Sequence, residues 1–143
     1  MIDLSKFEKT AFDTKPFLKK IAKPWGYELL FTTDNLPYTG KILHVNKGGR
    51  LSLQVHDEKQ ETQMLVNGRC FRIADNAKGE LVKEEMQENV GYTNMAGQRH
   101  RLEAITDCDI FEVSTPERGM TYRLEDDYSR PDETEDMRKN ERT

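Results

Sequence analysis

The chain has little of what marks several common protein classes. It carries two cysteines in 143 residues, Cys70 and Cys108. They lie in different apolar segments without CxxC spacing, which argues against a thiolate zinc site or a disulfide framework and for two thiols in a reducing compartment. No apolar run approaches the ~20 residues of a membrane-crossing helix. The opening residues Met1–Lys6 lack an apolar leader core, so a cytoplasmic protein without a membrane partner is expected. There is no basic stripe: 22 Lys and Arg stand against 26 Asp and Glu, for a net charge of −4. Binding a phosphate backbone needs clustered cations, so nucleic acid is not an expected partner. A glycine-rich nucleotide loop is also missing, because Gly48-Gly49-Arg50 sits in a strand turn and opens no helix. No internal repeat is visible.

What is present reads as one domain rich in short strands. Residues 1–22 hold Phe7, Phe12, Phe17, Leu18 and Ile21 among charges, with Pro16 breaking any helical run. This predicts an irregular arm with a short helix at about 16 to 21. Apolar β-prone runs then follow at Tyr27–Thr32, Thr39–Asn46, Arg50–His56 and Glu61–Val66. Asn67-Gly68 is a hairpin signal, answered by runs at Arg69–Ile73, Leu81–Lys83, Gly91–Asn94, Arg99–Ala104 and Asp109–Ser114. About eight or nine short strands without a long helix predict an all-β antiparallel sandwich or barrel. Residues 131–143, almost without apolar side chains, read as a charged, disordered tail.

Four donors stand out by spacing. Gln54 and His56 are two apart on an alternating strand and leave the same face. Glu61 follows a charged turn and can enter from the next strand, and His100 opens a later one. Each is ordinary alone, since barrel glutamines and surface histidines are common. Together, two imidazoles, a carboxylate and an amide oxygen suit a divalent cation with open positions for substrate.

These residues carry a resemblance. Gly48-x5-Gln54-x-His56-x4-Glu61-x6-Gly68 resembles the first cupin motif, with Gln in place of its first His, and Gly97-x2-His100 resembles part of the second. More specifically, KPWGYE (23–28), GGRLSLQVH (48–56), AGQRHRLE (96–103) and EDDYSR (125–130) resemble, in order, blocks of the type II mannose-6-phosphate isomerases. Those cupins also form the C-terminal half of bifunctional mannose-1-phosphate guanylyltransferases. In that family Gln is ordinary at the first ligand position. The chain departs from the pattern after His56: Asp57, Glu58, Lys59, Thr62 and Gln63 stand where the family carries His, His, Arg, His and Trp.

The resemblance implies a cupin double-stranded β-helix over 23–130 and one divalent metal on Gln54, His56, Glu61 and His100. Zinc is the expected ion, with cobalt, manganese, iron and nickel as alternatives. It implies aldose–ketose isomerisation of a sugar phosphate through an enediolate. Candidate bases are Glu58, Asp57 and Glu103. Candidate substrate or phosphate ligands are Lys59, Arg50, Arg99 and Arg101, with Tyr128 and Arg130 at the mouth. Rival readings are another metal-dependent cupin enzyme (a lyase, dioxygenase or free-sugar isomerase) and a non-catalytic metal- or sugar-binding module. The aromatic arm suggests a homodimer in which it covers a partner's sheet edge.

Overall fold

The computed structural model describes all 143 residues. Eleven strands form two antiparallel sheets. The first contains β1 (Lys19–Lys23), β2 (Gly26–Leu30), β3 (Thr39–Val45), β5 (Glu61–Asn67), β8 (Gly91–Asn94) and β10 (Cys108–Ser114). Their spatial order is β1-β2-β3-β10-β5-β8. The second contains β4 (Leu53–His56), β6 (Cys70–Asp75), β7 (Leu81–Glu85), β9 (His100–Ala104) and β11 (Thr121–Glu125), ordered β11-β4-β9-β6-β7. Strands distant in sequence therefore lie side by side, and the two sheets close over one interior as a jelly roll.

That interior is divided along the strands. In β3 the inward positions run Lys41, Leu43, Val45, and in β5 they run Glu61, Gln63, Leu65. In β10, which is antiparallel to both, they run Cys108, Ile110, Glu112, Ser114. The register sets Glu112 opposite Lys41 on one side and Gln63 on the other. One half of the barrel is thus apolar, built on Trp25, Leu43, Val45, Leu65, Leu102 and Ile110, all buried. The other half is charged. Burying the apolar half drives closure, and it holds the polar side chains of the same strands in a common cavity.

The Asn67-Gly68 hairpin lies where the pattern predicts. Gly68 has φ +83°, and a Cβ there would overlap the Asp107 carbonyl and Cys108, so only glycine fits.

Three expectations change. The helix expected at 16 to 21 is absent. Lys19–Lys23 alternates with only Ile21 buried and pairs with β2, so the barrel begins four residues before position 23. The preceding arm forms two short 3₁₀ turns, Leu4–Lys6 and Lys9–Phe12, and leaves Phe7, Phe12 and Leu18 exposed. β11 had no sequence counterpart, since TYRLE buries little beyond Thr121.

The tail expected to be disordered is structured. Thr121 and Glu133 exchange two backbone hydrogen bonds, and Thr134 then caps helix α1 (Glu135–Glu141) by accepting from the Met137 N–H. The helix docks through charge, which is why an apolar pattern missed it. Buried Arg138 donates to Glu133 and to the Glu117 carbonyl, Arg142 reaches Glu117, and Lys23 holds Glu141.

Candidate metal centre

β4, β5 and β9 bring three donors together inside the charged half. The Glu61 Oε1 lies 2.8 Å from His56 Nε2 and 3.5 Å from His100 Nε2. The ligand atoms of all three fall within 4.8 Å of one another, and all three residues are buried. Each imidazole is oriented by its other nitrogen. His100 Nδ1 donates to the Gln98 carbonyl at 2.9 Å, which turns Nε2 toward Glu61, and His56 Nδ1 pairs with the Thr121 hydroxyl at 3.0 Å. Glu61 Oε2 is buried without a hydrogen-bond partner. An orphaned carboxylate oxygen beside two convergent imidazole nitrogens is a donor set that fits a divalent cation.

Gln54 stands next to the triad, opposite His100 in the β4–β9 register. Its Oε1 accepts from Ser52 at 3.1 Å, and its amide nitrogen lies 3.5 Å from His100 Nε2. It presents an oxygen to the triad only when the amide is turned over.

The surroundings are strongly charged. Lys59 Nζ lies 3.1 Å from Glu112, 3.2 Å from Glu117 and 3.7 Å from Glu61. Lys41 Nζ lies 3.1 Å from Glu117 and 3.4 Å from Glu28. Gln63 donates to Glu112 at 2.8 Å. Four interior carboxylates (Glu28, Glu61, Glu112, Glu117) thus face two ammonium groups, with Arg142 reaching in from α1, and this excess of carboxylate suits an added cation. Burial alone would raise the Glu61 carboxyl, but Lys59 and then the two imidazoles outweigh it and hold the group well below the usual range. Burial first, and then repulsion from Glu61, push Glu112 up to about 7. Burial holds the His56 imidazole below its ordinary value. The free space here is about 50 Å³, room for a few waters, and Thr121 and Gln54 also line it.

The structure brings six of the sequence candidates to this half of the barrel: Gln54, His56, Glu61, His100, Lys59 and, at the mouth, Arg130. Lys59 is not a loop cation but is buried among carboxylates. The other candidates lie elsewhere. Asp57 and Glu58 are exposed beside Gly119, with Asp57 accepting from the Met120 N–H. Glu103 has the opposite parity to His100, faces outward and pairs with Lys83 at 3.2 Å. Arg50 clasps Asp127, and Arg99 clasps Asp75 and the Gly79 carbonyl. Arg101 is buried, but it faces away from His100 and donates to the Leu51 carbonyl. Tyr128 is partly exposed beside the Arg130 guanidinium.

Glu28, Lys41, Glu112 and Glu117 escaped sequence reading, as did the mouth residues Lys23 and Arg123. A signal existed for two of them. Lys41 and Glu112 have the inward parity of otherwise apolar strands, where a charge requires buried partners. Gln63, one of the departures after His56, is buried against Glu112.

No protein-family model matches the chain, and no curated protein matches it. Solved structures share its fold at low identity. Oxalate decarboxylase from Lactobacillus farciminis aligns with a TM-score of 0.62 and 18% identity over 71% of this chain and 32% of its own. Oxalate decarboxylase from Bacillus subtilis, a protein with Mn(II) centres, aligns with a TM-score of 0.60 and 14% identity over 69% and 27%. The capsular polysaccharide assembling protein CapF from Staphylococcus aureus aligns with a TM-score of 0.58 and 13% identity over 87% and 34%. This chain spans 27 to 34% of the length of those proteins. Two antiparallel sheets rolled around an interior that is half apolar and half charged, with these likenesses, give the chain the cupin fold.

Proposed function

We propose that the chain is a metal-dependent aldose–ketose isomerase acting on a sugar phosphate. The observation that carries this reading is the buried His56–Glu61–His100 triad, with its orphaned carboxylate oxygen, of which His56 and Glu61 line one cavity with the Glu112 carboxylate and the Lys59 ammonium. His56, Glu61 and His100 would hold the ion, with Gln54 as a fourth ligand once its amide is turned. A divalent ion held there supplies positive charge that polarises the sugar carbonyl and lowers the acidity barrier at the neighbouring carbon. The donor set accommodates zinc, manganese, iron, cobalt or nickel.

Glu112 is the group positioned to move the proton, replacing Asp57, Glu58 and Glu103 in that role. Its carboxylate takes the proton from C2 as electrons pass to the C1 oxygen, and returns it to C1 as the C2 oxygen becomes the carbonyl. The hydroxyl proton passes from O2 to O1, so the conversion is balanced without a net proton. The Lys59 ammonium, between Glu61 and Glu112, supplies positive charge beside the oxygen on which charge develops.

The test is turnover of mannose 6-phosphate by metal-stripped protein reloaded separately with each ion, with His56→Ala as control. Metal-dependent formation of fructose 6-phosphate, lost in the variant, supports the reading. Metal binding without turnover by any reloaded form rejects it. The small inner cavity favours one second reading, a different metal-dependent cupin enzyme with a smaller substrate, such as a lyase of short carboxylic acids. Turnover of such an acid in place of the sugar phosphate would select it.

A further inference from the structure

A second cavity, about 170 Å³, lies at the barrel mouth between β1, β11, the 126–131 turn and α1. Lys23, Arg123, Arg130 and Glu133 line both this cavity and the inner one, which His56 and Glu61 also line. They form the partition between them.

The cations here are only partly answered. The Arg123 side chain is 8% exposed, with Nη1 donating to the Pro131 carbonyl at 2.7 Å and Nη2 to Glu133 at 3.2 Å. Its Nε is buried without a partner. Arg130 turns Nε and Nη2 to Asp126. Glu133 is shared between Arg123 and Arg138. Lys23, itself 6% exposed, holds Glu141, whose side chain is 37% exposed at the end of α1. Four cations thus meet three carboxylates, and one of those carboxylates is free to leave. Burial and then the nearby Arg130 charge lower the Arg123 pKa, as expected of a guanidinium short of counter-charge.

We propose that this mouth cavity is an anion subsite that binds the phosphate of a phosphate monoester through Lys23, Arg123 and Arg130, in the place that Glu141 takes when no ligand is bound. Planar guanidinium forks and an ammonium match phosphate oxygens. The rest of the ligand then projects through the shared partition toward the triad. The choice of a sugar phosphate as ligand rests on the isomerase reading, but the anion site does not depend on turnover. Arg50, Arg99 and Arg101 line neither of the two cavities, and Lys59 is enclosed by carboxylates.

The test is titration of metal-free full-length protein with inorganic phosphate at low ionic strength, followed by phosphorus NMR, with circular dichroism as a check on folding. Wild-type protein is expected to bind. Lys23→Met and Arg130→Gln are expected to bind about tenfold to a hundredfold more weakly, the scale of one lost charge-assisted hydrogen bond. Glu141→Gln removes the internal competitor and is expected to bind more tightly than wild type, an effect that a misfolded variant does not produce. Mannose 6-phosphate should compete with phosphate, and free mannose should not. No binding by folded wild-type protein overturns the proposal, and so does binding that is the same in all three variants. Phosphate binding sensitive to these changes, in a protein without isomerase activity, supports the subsite and rejects only the isomerase. Turnover with unaltered phosphate binding does the reverse.

Discussion

Replacing Lys41 by methionine removes one of the two ammonium groups that answer the interior carboxylates. Its Nζ lies 3.1 Å from Glu117, 3.4 Å from Glu28 and 3.9 Å from Glu112, and its side chain is 5% exposed. Methionine fills a similar volume, so the change isolates the charge. Breaking a buried ion network by deleting one partner costs about 3–5 kcal/mol, because the remaining charges are left uncompensated. For a domain of this size that corresponds to a loss of roughly 10 °C in Tm. The sign with pH follows from Glu117. Burial alone would raise its carboxyl, but Lys41 and then Lys59 hold it well below the usual glutamate range. In the wild type its contribution is complete above about pH 4.5 and is lost as pH falls through the depressed value. In the variant the carboxylates are protonated more easily. The deficit is therefore largest near neutrality and shrinks as pH is lowered toward 5. Urea unfolding of both proteins in chelator, at neutral and mildly acid pH, measures this. Adding Glu28→Gln to the variant should restore part of the loss by removing a stranded charge. A deficit below about 1 kcal/mol at neutral pH, the range of exposed pairs, would refute the buried-network account.

Three further outcomes are expected. A divalent ion at a hundred times its Kd should stabilise the protein by about 2.7 kcal/mol; His100→Ala should lose that increment, and an increment that survives in the variant places the ion elsewhere. Asp126 is pushed up by burial, but the stronger pull of its contacts with Arg130 holds it below the ordinary aspartate value. Its contribution is complete above about pH 3.8 and fades as pH falls through the depressed value, so Asp126→Asn should flatten the acid limb of stability against pH, and an unchanged limb would remove the pair from that role. The exposed Phe7, Phe12 and Leu18 of the arm favour a homodimer. Light scattering at micromolar concentration should give twice the chain mass, and the mass of one chain for a variant without residues 1–18.

Much of the barrel was legible because alternation is a local property. Leu51, Leu53 and Val55 against Ser52, Gln54 and His56 announces a strand and its faces. The failures share a cause. Residues 19–23 and 121–125 carry few apolar groups, so their pairing partners make them strands. The segment 131–143 contains a cap and a favourable first turn, Thr134 followed by Glu135 and Asp136. It still read as disordered, because its anchors are ion pairs with residues far away in sequence.

The same division holds for the site. Spacing along the chain put Gln54, His56, Glu61 and His100 on faces that could converge, and backbone parity alone turned Glu103 away from His100. No local pattern could say that Lys59 turns inward to Glu112, that Lys41 stands opposite Glu112 across β3 and β10, or that Lys23 and Arg123, a hundred residues apart, share one cavity wall. Side-chain direction follows from the alternation of each strand and is written in the sequence. Which charges become neighbours depends on strand order and register, and these arise only when the apolar half of the barrel closes and carries the polar half with it.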